Sequence, residues 1–254
     1  MKRLHGSFTA LMVFAGVFFY FVGCAEVQKP SPDATFYTKR GVEFQLNDQC
    51  EQAISDYNKA IEIDPKHVEA YFNRGLAYAQ GEDDDDQAIS DFNKVIELDP
   101  KHASAYNNRG LLQMNSRRYD QAISDFDKAI SIKPKSVIAY YNRGMAWQYK
   151  GQYDRAIDDY SNVIGINPRH AMAYNNRGSA FHYKGQYDRA ISDYNKAIEI
   201  DPEYALAFFN RGVAYFKKGD CDKVREDFRN VQGMGYQIPP EVFEQLRKAC
   251  GEGI

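Results

Sequence analysis

The sequence predicts an all-α solenoid built from six helix-turn-helix units, and three observations carry that reading. An Arg-Gly pair recurs at Arg40-Gly41, Arg74-Gly75, Arg109-Gly110, Arg143-Gly144, Arg177-Gly178 and Arg211-Gly212, in steps of 34, 35, 34, 34 and 34 residues. Proline returns in one phase at Pro65, Pro100, Pro134, Pro168 and Pro202. Between these marks, apolar side chains recur every three or four residues, the spacing of one helical stripe. Fixed periods of this size mark stacked repeats, in which each unit buries its apolar face only against its neighbours.

The units start at Ala34, Val68, Ala103, Val137, Ala171 and Ala205, and positions are counted from those residues. In the first helix, position 4 is Tyr37, Tyr71, Tyr106, Tyr140, Tyr174 and Phe208, and position 8 is always glycine. A side chain at position 8 would hold two helices apart. Position 11 is Phe44, Tyr78, Gln113, Trp147, Phe181 and Tyr215. The second helix repeats a small-aromatic-small stripe, as in Ala53-Tyr57-Ala60, Ala122-Phe126-Ala129 and Ala190-Tyr194-Ala197. Proline then ends it, because the residue before proline is pushed out of the helical region.

This pattern closely resembles the tetratricopeptide-repeat (TPR) family over residues 34–238, although position 7 is arginine in all six units where leucine is common in that family. The resemblance implies a right-handed superhelix with a concave protein-binding face. The second unit is one residue longer, within the run Gly81-Glu82-Asp83-Asp84-Asp85-Asp86. An insertion in the turn leaves both apolar stripes intact, and the run lacks the alternating ligands of a calcium loop. The sixth unit is degraded, with Val224, Val231 and no closing proline, as terminal repeats often are. Residues 239–254 read as a capping helix and tail, with Val242, Phe243 and Leu246 inward.

The N-terminus carries different chemistry. Met1-Lys2-Arg3, a short uncharged apolar run and Phe21-Val22-Gly23-Cys24-Ala25 read as an export signal over residues 1–23. The run is short for a membrane span. Its end resembles the bacterial lipobox, which implies lipidation of Cys24, with residues 24–33 as a tether; Phe21 stands where leucine is usual. Cleavage after Ala25 is the rival reading, giving a soluble periplasmic or secreted protein. The lipobox reading implies a lipid-anchored protein of the bacterial envelope, facing the periplasm, with the outer membrane favoured.

Without Lys2 and Arg3, the 32 bases against 35 acids leave a net charge of −5. No basic stripe marks a nucleic-acid interface. No catalytic signature of the glycine-serine, phosphate-loop or zinc-protease kind occurs, so neither enzyme activity nor a cofactor is expected. His67, His102 and His170 share one position in three units, too far apart for one metal ion. Cys221 opens the last second helix and Cys250 ends the cap, edges that meet in a TPR stack; the expectations are a Cys221–Cys250 disulfide or two free thiols. Cys50 holds the equivalent place in unit 1, facing Ala79.

Position 7 is always arginine and position 23 always aspartate, from Arg40 and Asp56 to Arg211 and Asp227. The expectation is an ion pair between helices, with an anion-binding arginine ladder as the alternative. Positions 2, 5, 6, 9, 12 and 13 of the first helices are expected to line the groove. Position 6 reads Asn73, Asn108, Asn142, Asn176 and Asn210 after Lys39. A carboxamide offers donor and acceptor together, so this series resembles the asparagine ladder of peptide-binding TPR proteins; a local sequence habit is the bland reading. The basic residues of a carboxylate clamp are missing. Instead Tyr141, Tyr149, His182, Tyr183, Phe209 and Phe216 are expected to form an aromatic floor for apolar side chains. The resemblance thus implies an adaptor that holds extended peptide segments of a protein partner, and the other reading is a structural subunit that self-associates.

Overall fold

The structure, a computed structural model, describes residues 32–81, 84–238 and 240–251. The expected signal, Cys24 and most of the tether lie outside the described residues. All regular structure among the described residues is helical: α1 (Ala34–Leu46), α2 (Cys50–Ile63), α3 (Val68–Tyr78), α4 (Asp85–Leu98), α5 (Ala103–Asn115), α6 (Tyr119–Ile132), α7 (Val137–Tyr149), α8 (Tyr153–Ile166), α9 (Ala171–Tyr183), α10 (Tyr187–Ile200), α11 (Ala205–Lys218), α12 (Cys221–Gly233) and α13 (Pro240–Cys250). Odd-numbered helices pack on the even-numbered helix that follows and on the one before, as a solenoid requires. None of them is long and apolar enough to cross a membrane.

The two helices of a unit meet ring to backbone. A Cβ added at Gly144 would lie 2.8 Å from Cε1 of Tyr160, and one at Gly41 would lie 2.5 Å from Cε1 of Tyr57. The same close approach recurs at Gly75, Gly110, Gly178 and Gly212 against Phe92, Phe126, Tyr194 and Phe228. Those six rings are fully buried or nearly so. The invariant glycine therefore sets the distance between helices, and the aromatic ring fills it.

Turn chemistry ends the second helices. Asp64, Asp99, Asn167 and Asp201 adopt extended or near-extended backbone ahead of their prolines. Each accepts, through Oδ1, the backbone N–H two residues on, at 2.9–3.1 Å. That bond supplies a turn which the helix cannot continue through. His102 and His170 then cap α5 and α9, their Nδ1 atoms accepting from the N–H of Ala105 at 3.1 Å and Ala173 at 3.2 Å. Among the described residues, no group of histidines, cysteines and acids is placed to hold a metal ion.

The C-terminal end is closed by α13, whose Leu246 joins Val224 and Phe228 in a core flanked by Phe209, Val213, Tyr215, Phe216, Ile238 and Val242. A disulfide joins Cys221 of α12 to Cys250 of α13, with Cα atoms 5.3 Å apart. Cys50 is a free, half-buried thiol whose Sγ lies 3.6 Å from Oε1 of Gln80, one residue beyond Ala79.

Candidate functional site

The arginine at position 7 is a structural clamp. Arg143 donates from Nε and Nη2 to both oxygens of Asp159, at 2.9 and 2.6 Å, and its Nη1 reaches Asp127 of the preceding unit at 2.5 Å. Every unit repeats the two-pronged bond to its own aspartate, from Arg40–Asp56 to Arg211–Asp227. In units 2–6 the third prong finds Asn58, Asn93, Asp127, Ser161 or Asn195 at position 25 of the unit before. The aspartates are buried, and each guanidinium also lies against the ring at position 4, 5.2–5.6 Å from its centre. Arginine here replaces a common leucine by bridging three helices at once. The pairing of positions 7 and 23 was legible in the sequence; the third partner at position 25 varies among Asn, Asp and Ser and was missed.

The asparagines at position 6 lie on the first helices, where three of them bind the neighbouring unit. Asn210 donates to Oδ1 of Asn175 at 2.9 Å, Asn175 donates to Oδ1 of Asn176 at 3.1 Å, and Asn176 donates to the Tyr141 hydroxyl at 2.9 Å. Asn142 donates to Oδ1 of Asn107 at 3.0 Å. The series is thus a relay that ties α7, α9 and α11 together along their inner edge. Asn176 uses one N–H and one oxygen lone pair of its carboxamide inside the protein, which leaves one donor and one acceptor for a ladder. Asn210 and Asn142 each spend one of two N–H groups and keep their acceptor oxygens. Asn73 and Asn108 lie opposite Thr38 and Phe72 in the unit before; Asn108 lines a cavity of about 320 Å³ with Phe72, Asn107 and Ile138.

The aromatic residues divide. Tyr149 and Tyr183 are both 64% exposed and stack face to face on Tyr119 and Tyr153 of the preceding unit, with centroids 5.7 and 5.2 Å apart. Beside each stack, Lys150 pairs with Asp120 and Lys184 with Asp154. Tyr141 is half-buried, and burial raises its phenol pKa. Phe216, expected on the groove floor, is partly buried against the core that α13 covers, as Met114 at position 12 of unit 3 is buried in its own core. His182, Tyr183, Phe209 and Asn210 come together with Ser179, Tyr194 and Val213 around a cavity of about 190 Å³ between α9 and α11.

Models of tetratricopeptide repeats match residues 42–81 and 178–219, residues 103–136 and 137–170, and residues 68–102. With the helix-pair packing and the position-8 glycines, these matches decide the family. The chain belongs to the tetratricopeptide-repeat family. This TPR protein is similar to the uncharacterized protein MJ0572 of Methanocaldococcus jannaschii, 43% identical over 44 residues, which are 17% of this chain and 51% of that one. The chain spans about half the length of that curated relative. Among solved structures its TPR solenoid is similar to MamA, at TM-score 0.62 and 29% identity over 68% of this chain and 93% of that one. It is similar also to a tetratricopeptide repeat protein from Parabacteroides merdae, at TM-score 0.60 and 25% identity over 85% and 84%.

Proposed function

We propose that this TPR protein is an adaptor whose concave face, chiefly over α7, α9 and α11, holds extended uncharged segments of partner proteins. One observation carries the reading. At position 2 of units 4–6, Ile138, Met172 and Leu206 are 63%, 50% and 37% exposed, in register along one edge of the inner face. The groove positions between them and Tyr149 and Tyr183 hold amides, aromatic and apolar residues, Ser179 and His182, and no carboxylate, lysine or arginine; Lys217 lies at the far edge of α11. The charges lie elsewhere, many paired across units. An aligned apolar row on a surface otherwise rich in charge marks a place where another chain docks. The exposed backbone of an extended segment then meets the spare amide oxygens.

The adaptor also sits, in this proposal, at a bacterial envelope membrane through a lipid on Cys24. Metabolic labelling with a fatty acid tests that part: label lost in Cys24→Ser supports the anchor, and an unlabelled wild-type chain overturns it. For the groove, Ile138→Ser with Met172→Ser and Leu206→Ser changes only exposed side chains. Affinity pull-down from solubilised membranes, with circular dichroism as the folding control, should recover partners with the parent chain and lose them with the triple variant. Equal recovery by both, or a tight dimer by light scattering that buries this row, replaces the adaptor with a self-associating subunit.

A further inference from the structure

Unit 5 breaks a rule that the other units keep. Where position 24 is tyrosine, position 12 is glutamine: the Tyr57 hydroxyl donates to Oε1 of Gln45 at 3.0 Å and the Tyr160 hydroxyl to Oε1 of Gln148 at 3.1 Å. Where position 24 is phenylalanine, position 12 has no polar group, as in Phe92 with Ala79, Phe126 with Met114 and Phe228 with Phe216. In unit 5 the tyrosine is Tyr194 and its position-12 neighbour is His182. Tyr194 turns away and donates to Oγ of Ser179 at 3.3 Å. Nδ1 of His182 is left buried with no hydrogen-bond partner. The cavity of about 190 Å³ opens at this broken pair.

Acceptors outnumber donors in the cavity. Ser179 gives its proton to the carbonyl of Asn175, and Asn210 gives its amide hydrogen to Oδ1 of Asn175. What remains open is mostly acceptor capacity: Oδ1 of Asn210, the second lone pair of the Tyr194 hydroxyl, and Nδ1 of His182 in the neutral form protonated on Nε2, against one donor, the second amide N–H of Asn210. The walls are the rings of Tyr183, Phe209 and Tyr194 with Val213, and no carboxylate, lysine or arginine lines them. A carboxylate would face these acceptors, and a purely apolar group would leave them buried without partners. We propose that the cavity between α9 and α11 is a specificity pocket for an aromatic side chain that carries a hydrogen-bond donor, the tyrosine or tryptophan of a captured segment. The inference rests on the groove reading and names the residue that the groove selects.

The groups facing His182 are Tyr183 and Tyr187, at ring distances of 6.0 and 5.2 Å, Tyr194, and Lys217, the nearby cation. Burial first, and then Lys217, hold the imidazole below its ordinary pKa of 6.5. The ring is therefore neutral at pH 7.5 and its nitrogen is free to accept. Protonation removes that acceptor, so binding through it weakens as pH falls through the imidazole pKa.

The probes are N-acetyl-tryptophanamide, N-acetyl-tyrosinamide and N-acetyl-phenylalaninamide, titrated into the full chain while the imidazole resonances of His182 are followed by NMR. The expected result is saturable movement of those resonances with the first two probes and at least fivefold weaker binding of the third. His182→Phe, which keeps a ring and removes the nitrogen, should bring the three probes level. Equal affinities in the parent at pH 7.5, or no movement at all, overturn the pocket. The position-2 serine variants test the groove itself and leave His182 untouched, so the two ideas fail separately.

Discussion

Replacing Arg143 by methionine removes one clamp while keeping the aliphatic volume. The loss has three parts. Asp159, buried at position 23, is left with an uncompensated carboxylate, a defect that costs about 3–5 kcal/mol in comparable sites. Asp127 is half-exposed and loses an ion pair worth about 0–1 kcal/mol. The stacking of the guanidinium on Tyr140, at 5.5 Å, adds about 0.5–1 kcal/mol. An upper bound comes from protonation, because the variant can neutralise Asp159 rather than bury its charge. Raising a carboxyl from an ordinary pKa near 3.9 to take up a proton at pH 7 costs about 4 kcal/mol, and at pH 5 about 1.5 kcal/mol.

The sign of the pH dependence follows. Burial already pushes the Asp159 carboxyl above its usual range, with Arg143 pulling the other way. Without the arginine the folded-state pKa climbs further above the unfolded value. The folded variant then binds a proton that the unfolded chain does not, so its stability relative to the parent recovers as pH falls from the folded value toward about 3.9. Urea unfolding followed by circular dichroism should show a deficit of about 4 kcal/mol at pH 7 that shrinks to about 2 kcal/mol at pH 5. Arg143→Met with Asp159→Asn should restore part of the loss at pH 7 and remove its pH dependence. A deficit below about 1 kcal/mol at pH 7, the scale of an exposed pair, would refute the clamp and return Arg143 to the role of a free cation.

Further outcomes follow from the same geometry. Gly178→Ala places a methyl group 2.8 Å from Cε1 of Tyr194, so calorimetry should record a loss of about 1–3 kcal/mol, whereas Gly165→Ala, with open space around it, should record none. Gly185 has φ +73° at the turn between α9 and α10, and Gly185→Ala should cost about 1 kcal/mol by chemical denaturation. Reducing Cys221–Cys250, which are 29 residues apart, should lower stability by about 3–4 kcal/mol and raise hydrogen exchange in α12 and α13 before α1 to α6.

The periodic parts of the fold were legible because each unit solves the same packing problem with the same residues. Glycine at position 8, an aromatic at position 24 and proline at position 32 can be read without coordinates, and the helices begin at the counted unit starts. The arginine clamp was half-legible. Its aspartate is invariant, but its third partner is any short oxygen-bearing side chain, so no single residue type announces it. The asparagines show the limit more sharply. Their series along the inner helices is plain in the sequence, yet Asn142, Asn176 and Asn210 each spend one donor on position 5 of the unit before, which is asparagine at 107 and 175 but tyrosine at 141. Side-chain bonds between units depend on pairs 35 residues apart, and a period alone does not say which member gives the proton. The placement of Phe216 has a related cause: position 12 sits beside the buried ring at position 24, so its side chain divides between groove and core, as buried Met114 shows.

The departures from the repeat gather where another copy would have to join. Positions 3 and 10 are buried alanine or leucine in units 2–6, the small surfaces on which the preceding helix rests, such as Ala139 with Ala146 and Ala173 with Ala180. Unit 1 has Phe36 and Glu43 at those positions, and both are exposed. Position 25 offers an oxygen to the next arginine in units 1–5, but in unit 6 it is Arg229, which would set one guanidinium against another. The disulfide-locked α13 covers that same end. Growth of the stack by head-to-tail addition therefore meets a bulky ring and an acid at one end and a cap with a like charge at the other. Open ends are the usual liability of a solenoid, and here both are closed by specific residues. The exposed Ile138, Met172 and Leu206 row has no such protection, in keeping with the docking role proposed for it.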